Sequence, residues 1–128
     1  MDIQFKVETS KDFASAIAAL KEEMSQYGFG VLWEMNFKDK LQAKGLDFDK
    51  NFQIMEACNP KQAKVVLDKD IEAGYFLPCK VVVYEKDEKV FVGMLRPTLL
   101  MDMMDVAGLE AIAQEVEEDL KKAIEAVK

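Results

Sequence analysis

The chain has 128 residues, half of them hydrophobic and about a third charged, which suits a single soluble domain with a core of its own. Its net charge is −7 and its sole arginine is Arg96, a balance that speaks against nucleic acid, whose phosphates call for clustered Lys and Arg. The chain contains no histidine, which excludes Ser-His-Asp and Cys-His catalysis, imidazole acid–base chemistry and every His-ligated metal.

The first element reads as a strand, with Ile3, Phe5 and Val7 alternating against Asp2, Gln4, Lys6 and Glu8. Thr9-Ser10-Lys11-Asp12 offers Thr9 as a helix N-cap with an acid three residues later. The helix that follows places Phe13, Ile17, Leu20 and Met24 on one face and stops near Gly28. "FGVLWEMNF" is the strongest strand. Its alternation sends Phe29, Val31, Trp33, Met35 and Phe37 one way and Gly30, Leu32, Glu34 and Asn36 the other. Asn36 caps a short helix, "FKDKLQAK", which Gly45 ends.

"FQIMEAC" is the third strand. Asn59-Pro60-Lys61-Gln62 then starts a helix to about Lys69: Asn at the cap, Pro at the first position, and Gln62 placed to return a hydrogen bond to the cap. Its inward residues are Ala63, Val66 and Leu67. "AGYFLP" reads as a loop. "KVVVYE" and "KVFVGML" form a hairpin about "KDE", and both strands are apolar on each side. A methionine-rich connection, "TLLMDMMD", leads to a long helix from about Val106 to Val127. Its stripe is Leu109, Ile112, Val116, Leu120, Ala123, Ile124 and Val127, and its acidic run "EVEEDL" reads as a solvated face.

The pattern is α+β: one domain, 1–128, with a five-stranded sheet and two long helices on one face. The other face then needs a cover, either a second copy or a ligand. No apolar run approaches the ~20 residues of a membrane span and the start lacks a signal-peptide layout, so a cytoplasmic protein away from membranes is expected. Thiols there are reduced, which favours free, metal-bound or transient redox roles for the two cysteines.

Cys58 ends the third strand and Cys79 begins the fourth. If those strands are antiparallel neighbours the thiols share one end of the sheet; a parallel crossover would separate them. Cys58 also precedes the N-cap Asn59, where helix amides can lower a thiol pKa; equally, it can be a small apolar residue packed on Ala63. Two thiolates, with Glu56 or Glu34, make at most a partial metal site, and four thiolates would take two chains. Glu56 and Lys80 lie near the cysteine end, and Arg96 can pair with the acidic last helix. Met94, Met101, Met103 and Met104 either line an adaptable surface or fill the core. "YGFGV" is no phosphate loop, because its glycines end a helix and begin a strand.

The stretches "YGFGVLWEMNFKDKLQAKGLDFD", "FQIMEACNPKQAKVVLDKDIEAGYFLPCKVVVYE" and "VFVGMLRPT" resemble domain-of-unknown-function family 302, with Cys58-Asn59-Pro60 and Leu77-Pro78-Cys79 as the most specific part. The resemblance implies a TATA-binding-protein-like β-α-β4-α arrangement with small helical insertions, antiparallel third and fourth strands, and a homodimer. It names no activity and no cofactor. The expectation is a small binding protein with a site of Cys58, Cys79, Asn59, Pro60, Pro78, Lys80 and Glu34, taking a soft metal on Cys58 and Cys79 or a small apolar or thiol-reactive molecule. The competing expectations are a thiol redox or nucleophilic enzyme using the same cysteines, and a structural dimerisation module.

Overall fold

The alternation at the start of the chain becomes β1 (Gln4–Thr9), with Val7 and Thr9 buried and Gln4, Lys6 and Glu8 in solvent. The structure is a computed structural model that describes residues 2–128. Pairing of β1 runs through Thr9, opposite Val90, so Thr9 does not cap the next helix. Its hydroxyl donates instead to the Val127 carbonyl at 3.1 Å. The cap of α1 (Phe13–Ser25) is Asp12, which accepts from the Ser15 N–H at 2.7 Å.

Strand β2 (Gly30–Asn36) departs from strict alternation. Val31 opposes Ala57 and Trp33 opposes Glu56, so Leu32 is an extra residue in a bulge. Val31 and Trp33 therefore lie on different faces, and Glu34 moves to the face of Met55. Asn36 caps α2 (Phe37–Ala43) as expected: its Oδ1 accepts from the Lys38 N–H at 3.1 Å and from the Phe52 N–H at 3.0 Å. Strand β3 (Phe52–Cys58) and helix α3 (Pro60–Lys69) fall where capping and periodicity put them. "AGYFLP" is more ordered than a loop, since Ile71–Phe76 forms a 3₁₀ helix ahead of β4 (Cys79–Lys86). The turn to β5 (Lys89–Leu95) is Asp87-Glu88, both at positive φ (53° and 64°), a two-residue hairpin turn whose twist matches the strands. The methionine-rich connection contains a short helix, α4 (Pro97–Asp102). The last helix, α5, spans Glu110–Val127 rather than starting at Val106.

The sheet order is β1-β5-β4-β3-β2, antiparallel throughout. Helices α1 and α5 pack on each other across one face, burying Leu20 and Met24 of α1 and the whole expected stripe of α5. Met94 and Met101 are core residues, whereas Met103 is exposed. The acidic run of α5 is not uniformly solvated either. Glu117 is buried and bound to Arg96 and Thr98. Among the described residues no helix is long and apolar enough to cross a membrane.

Candidate functional site

Strands β3 and β4 are antiparallel neighbours, so both cysteines do reach the same end of the sheet. Cys79 opposes Ala57 on the helix-covered face and is buried, while Cys58, one residue further along β3, is half-buried. Both are free thiols. They border a crevice of about 20 Å³, together with Asn59, Gln62 and Pro78. Among the described residues no three Cys, Asp or Glu side chains converge as a metal group, so one chain brings two sulfurs at most.

Neither thiol is activated. Burial pushes Cys58 above its ordinary value, and burial, with the nearby Cys58 charge, pushes Cys79 up to about 12. The helix start offers no relief, because its amides are already taken. Asn59 Oδ1 accepts from the N–H groups of Lys61 (3.1 Å) and Gln62 (3.2 Å), the Asn59 carbonyl accepts from Ala63 (2.9 Å), and Pro60 has no N–H. The expectation of a low-pKa thiolate at Cys58 is corrected on that ground.

Pro60 lies outside the crevice lining, and Asn59, though it borders the crevice, spends its side chain on the fold. Pro60 is the exposed first residue of α3, and Asn59 Nδ2 donates to the Tyr27 carbonyl at 2.9 Å, tying the end of α1 to the start of α3. The contact is tight: a Cβ on Gly28 (φ +84°) would come within 3.0 Å of Asn59 Nδ2. Asn59→Ala is expected to cost about 2 kcal/mol, the sum of a lost cap and an orphaned carbonyl. Asn59→Asp should recover only the cap part. Urea midpoints of the two variants measure this, and an aspartate variant as stable as the parent would show that the Tyr27 bond contributes nothing. Gln62 does not return to the cap as expected. Its Nε2 donates to Glu115 and Asp119 of α5, each at 3.2 Å, and its buried Oε1 accepts nothing from the described residues.

Glu34 is not part of the cysteine edge. It lies four residues along β2 from Gly30, the residue opposite Cys58, and both its oxygens are engaged: Oε2 with Lys21 at 2.8 Å and Oε1 with Gln53 Nε2 at 2.7 Å. Lys80 follows Cys79 but points from the opposite face, where it opposes Glu56.

That opposite, open face holds the larger feature. Registers across β1, β5, β4 and β3 arrange its side chains in rows. The first row is Phe91, Tyr84 and Phe52, with adjacent ring centroids 5.4 and 5.1 Å apart and interplanar angles of 22° and 16°. Phe37 extends it edge-on at 5.9 Å. The next row is Lys6, Gly93, Val82 and Ile54. A third carries Gln4, Leu95 and Lys80. Rows lie about 7 Å apart along the strands. Gly93 has no side chain to raise the middle row, and none fits there: a Cβ would come within 2.9 Å of the Phe5 carbonyl oxygen. A groove of about 370 Å³ results, walled on one side by the aromatic row. Its charged residues are Lys6, Lys80 and Lys86. A second hollow, of about 250 Å³, opens between α4 and α5, and its charged residues are all acids, Asp102, Asp105 and Glu110.

Of the groove residues only Lys80 and Met94 were singled out from the sequence. The signals were the hairpin's two-sided apolarity and a glycine in mid-strand; what assembles them is register.

A family model described as "Domain of unknown function DUF302" matches residues 5–127. A search of the curated proteins finds no match. Among solved structures the chain is similar to the crystal structure of an uncharacterized conserved protein DUF302 from Bacillus stearothermophilus. The two are 39% identical with a TM-score of 0.96, and all of each chain is covered.

Proposed function

The chain belongs to the DUF302 family, whose description carries no activity, and on that premise we propose that it is a small-molecule binding protein whose site is the open-face groove. The observation that carries this reading is the groove itself: 370 Å³, within the size range of small-ligand sites, floored at Gly93 and walled by stacked Phe52 and Tyr84. Half-buried aromatic edges and aliphatic floor residues suit an apolar body. The test is a fluorescence titration with the neutral dye N-phenyl-1-naphthylamine. One dye should bind per chain, roughly fivefold more weakly in Tyr84→Ala, and not at all in Val82→Trp, which fills the groove. Binding unchanged by both substitutions sinks the reading. So does exclusion of the dye from a chain that sediments as a dimer through this face.

The Cys58–Cys79 edge is the second reading, as a soft-metal site. One observation favours it: Gln62, whose buried Oε1 lacks a protein donor among the described residues, lines the crevice that both cysteines border. Two sulfurs and an amide oxygen form a partial ligand set.

A further inference from the structure

Resting on the groove reading, the geometry points to a ligand class: a flat apolar anion with one acidic headgroup, an aromatic carboxylate or sulfonate. The chain as a whole carries 24 acidic against 17 basic residues. The groove inverts that balance, since its charged residues are Lys6, Lys80 and Lys86, with no carboxylate among them. Two acids of the same face stand nearby: Glu8 pairs with Lys89 at 3.8 Å, and Glu56, the cross-strand neighbour of Lys80, lies outside the lining and forms no ion pair with it among the described residues. Among the described residues none of the three lysines is in an ion pair. Three ammonium groups around an apolar hollow repel one another, and an anion seated among them relieves that repulsion.

Placement makes the preference specific. Lys6 on β1 and Lys80 on β4 flank β5, about 10 Å apart between strand axes, with Gly93 and Leu95 between them. The Lys6 Nζ is 5.3 Å from the Phe91 ring centroid, so its charge rests against the aromatic row. A headgroup over Gly93 sits between the two ammonium groups while the ligand body lies against Val82 and Tyr84. The groove contains no arginine fork; Arg96, the sole guanidinium, is bound to Glu117. Recognition therefore runs on charge rather than on bidentate headgroup geometry, and carboxylate and sulfonate should be accepted alike.

The experiment compares N-phenyl-1-naphthylamine with its anionic counterpart, 1-anilinonaphthalene-8-sulfonate, on the full chain. The sulfonate dye should bind at least tenfold more tightly at about 20 mM salt, and the advantage should shrink below threefold at 0.5 M. In the Lys6→Gln/Lys80→Gln double variant the advantage should vanish while affinity for the neutral dye stays within twofold. Lys64→Gln, on the exposed side of α3, should leave both dyes unaffected. Urea unfolding of each variant confirms that it is folded. Equal affinities for the two dyes in the unmodified chain, both lost in Val82→Trp, overturn the anion preference and leave the groove standing. Binding of neither dye overturns both.

Discussion

Mixed with an aromatic disulfide reagent at pH 7, folded protein is expected to release almost no thiolate chromophore, with Cys79 reacting about a thousandfold more slowly than an unperturbed thiol. The reacting species is the thiolate, and raising a pKa from 9.0 to about 12 lowers its population at neutral pH by that factor. Cys58 should also react below the free rate, because burial raises its pKa and the α3 amides are engaged by Asn59. In denaturant both cysteines should react at once, giving two equivalents. One fast equivalent from the native chain would restore the activated-thiol reading. The same burial sets an alkaline limit on stability. The folded-state value of Cys79 lies above the unfolded one, so the unfolded chain loses its thiol proton first as pH rises. That stabilisation is intact below about pH 9 and declines toward pH 12. A Cys79→Ala variant should show a flatter stability profile in that window.

Glu117→Ala is expected to cost about 3–5 kcal/mol, the usual consequence of removing one partner from a buried charged network. Glu117 accepts from the Thr98 hydroxyl at 2.7 Å, the Thr98 N–H at 3.1 Å and Arg96 Nε at 3.2 Å, with Arg96 Nη2 also 3.2 Å away. The network fastens α5 to the start of α4. Burial alone would raise the Glu117 pKa, but the hydrogen bonds from Thr98 and Arg96, with the Arg96 charge, together bring it below 4.5. Its stabilising contribution is therefore present above about pH 4.5 and is lost as pH falls through the lower, folded-state value. Glu117→Gln keeps one acceptor for Thr98 and should cost less than the alanine variant. It should also flatten the acid side of the stability profile. Urea midpoints between pH 3 and 7 measure both effects, and an alanine variant within 1 kcal/mol of the parent would show the network to be dispensable.

Local chemistry made much of this fold legible. The Asn59-Pro60 start of α3 and the Asn36 cap of α2 were readable because a cap is a short-range bargain between one side chain and the next few amides. The stripe of α5 was readable because period 3.6 survives in sequence whatever the helix packs against. Expectations failed where a partner outside the segment decided the outcome. Thr9 is an acceptable cap in isolation, yet its pairing with Val90 keeps it in β1. The Leu32 bulge shifts β2 by one residue and turns Glu34 from a candidate ligand into a partner of Lys21 and Gln53. The pairing of Arg96 with the acidic last helix was anticipated, but its partner Glu117 looked like one acid in a solvated run until α4 brought Thr98 against it.

The candidate sites divide along the same line. By itself the sequence determined the strands and most of the helices, the absence of imidazole chemistry, the acidic balance and the position of each cysteine at a strand end, because these depend on residue type and near neighbours. Only the tertiary structure decided what those residues meet. It set Cys79 against the helices and Lys80 on the other face, consecutive residues on opposite sides because a strand alternates. It also brought Phe52, Tyr84 and Phe91 into one stack and set Lys6 and Lys80 on either side of Gly93, residues up to 87 positions apart in sequence. Antiparallel register made that groove, and register is a long-range pairing that no stretch of the chain contains.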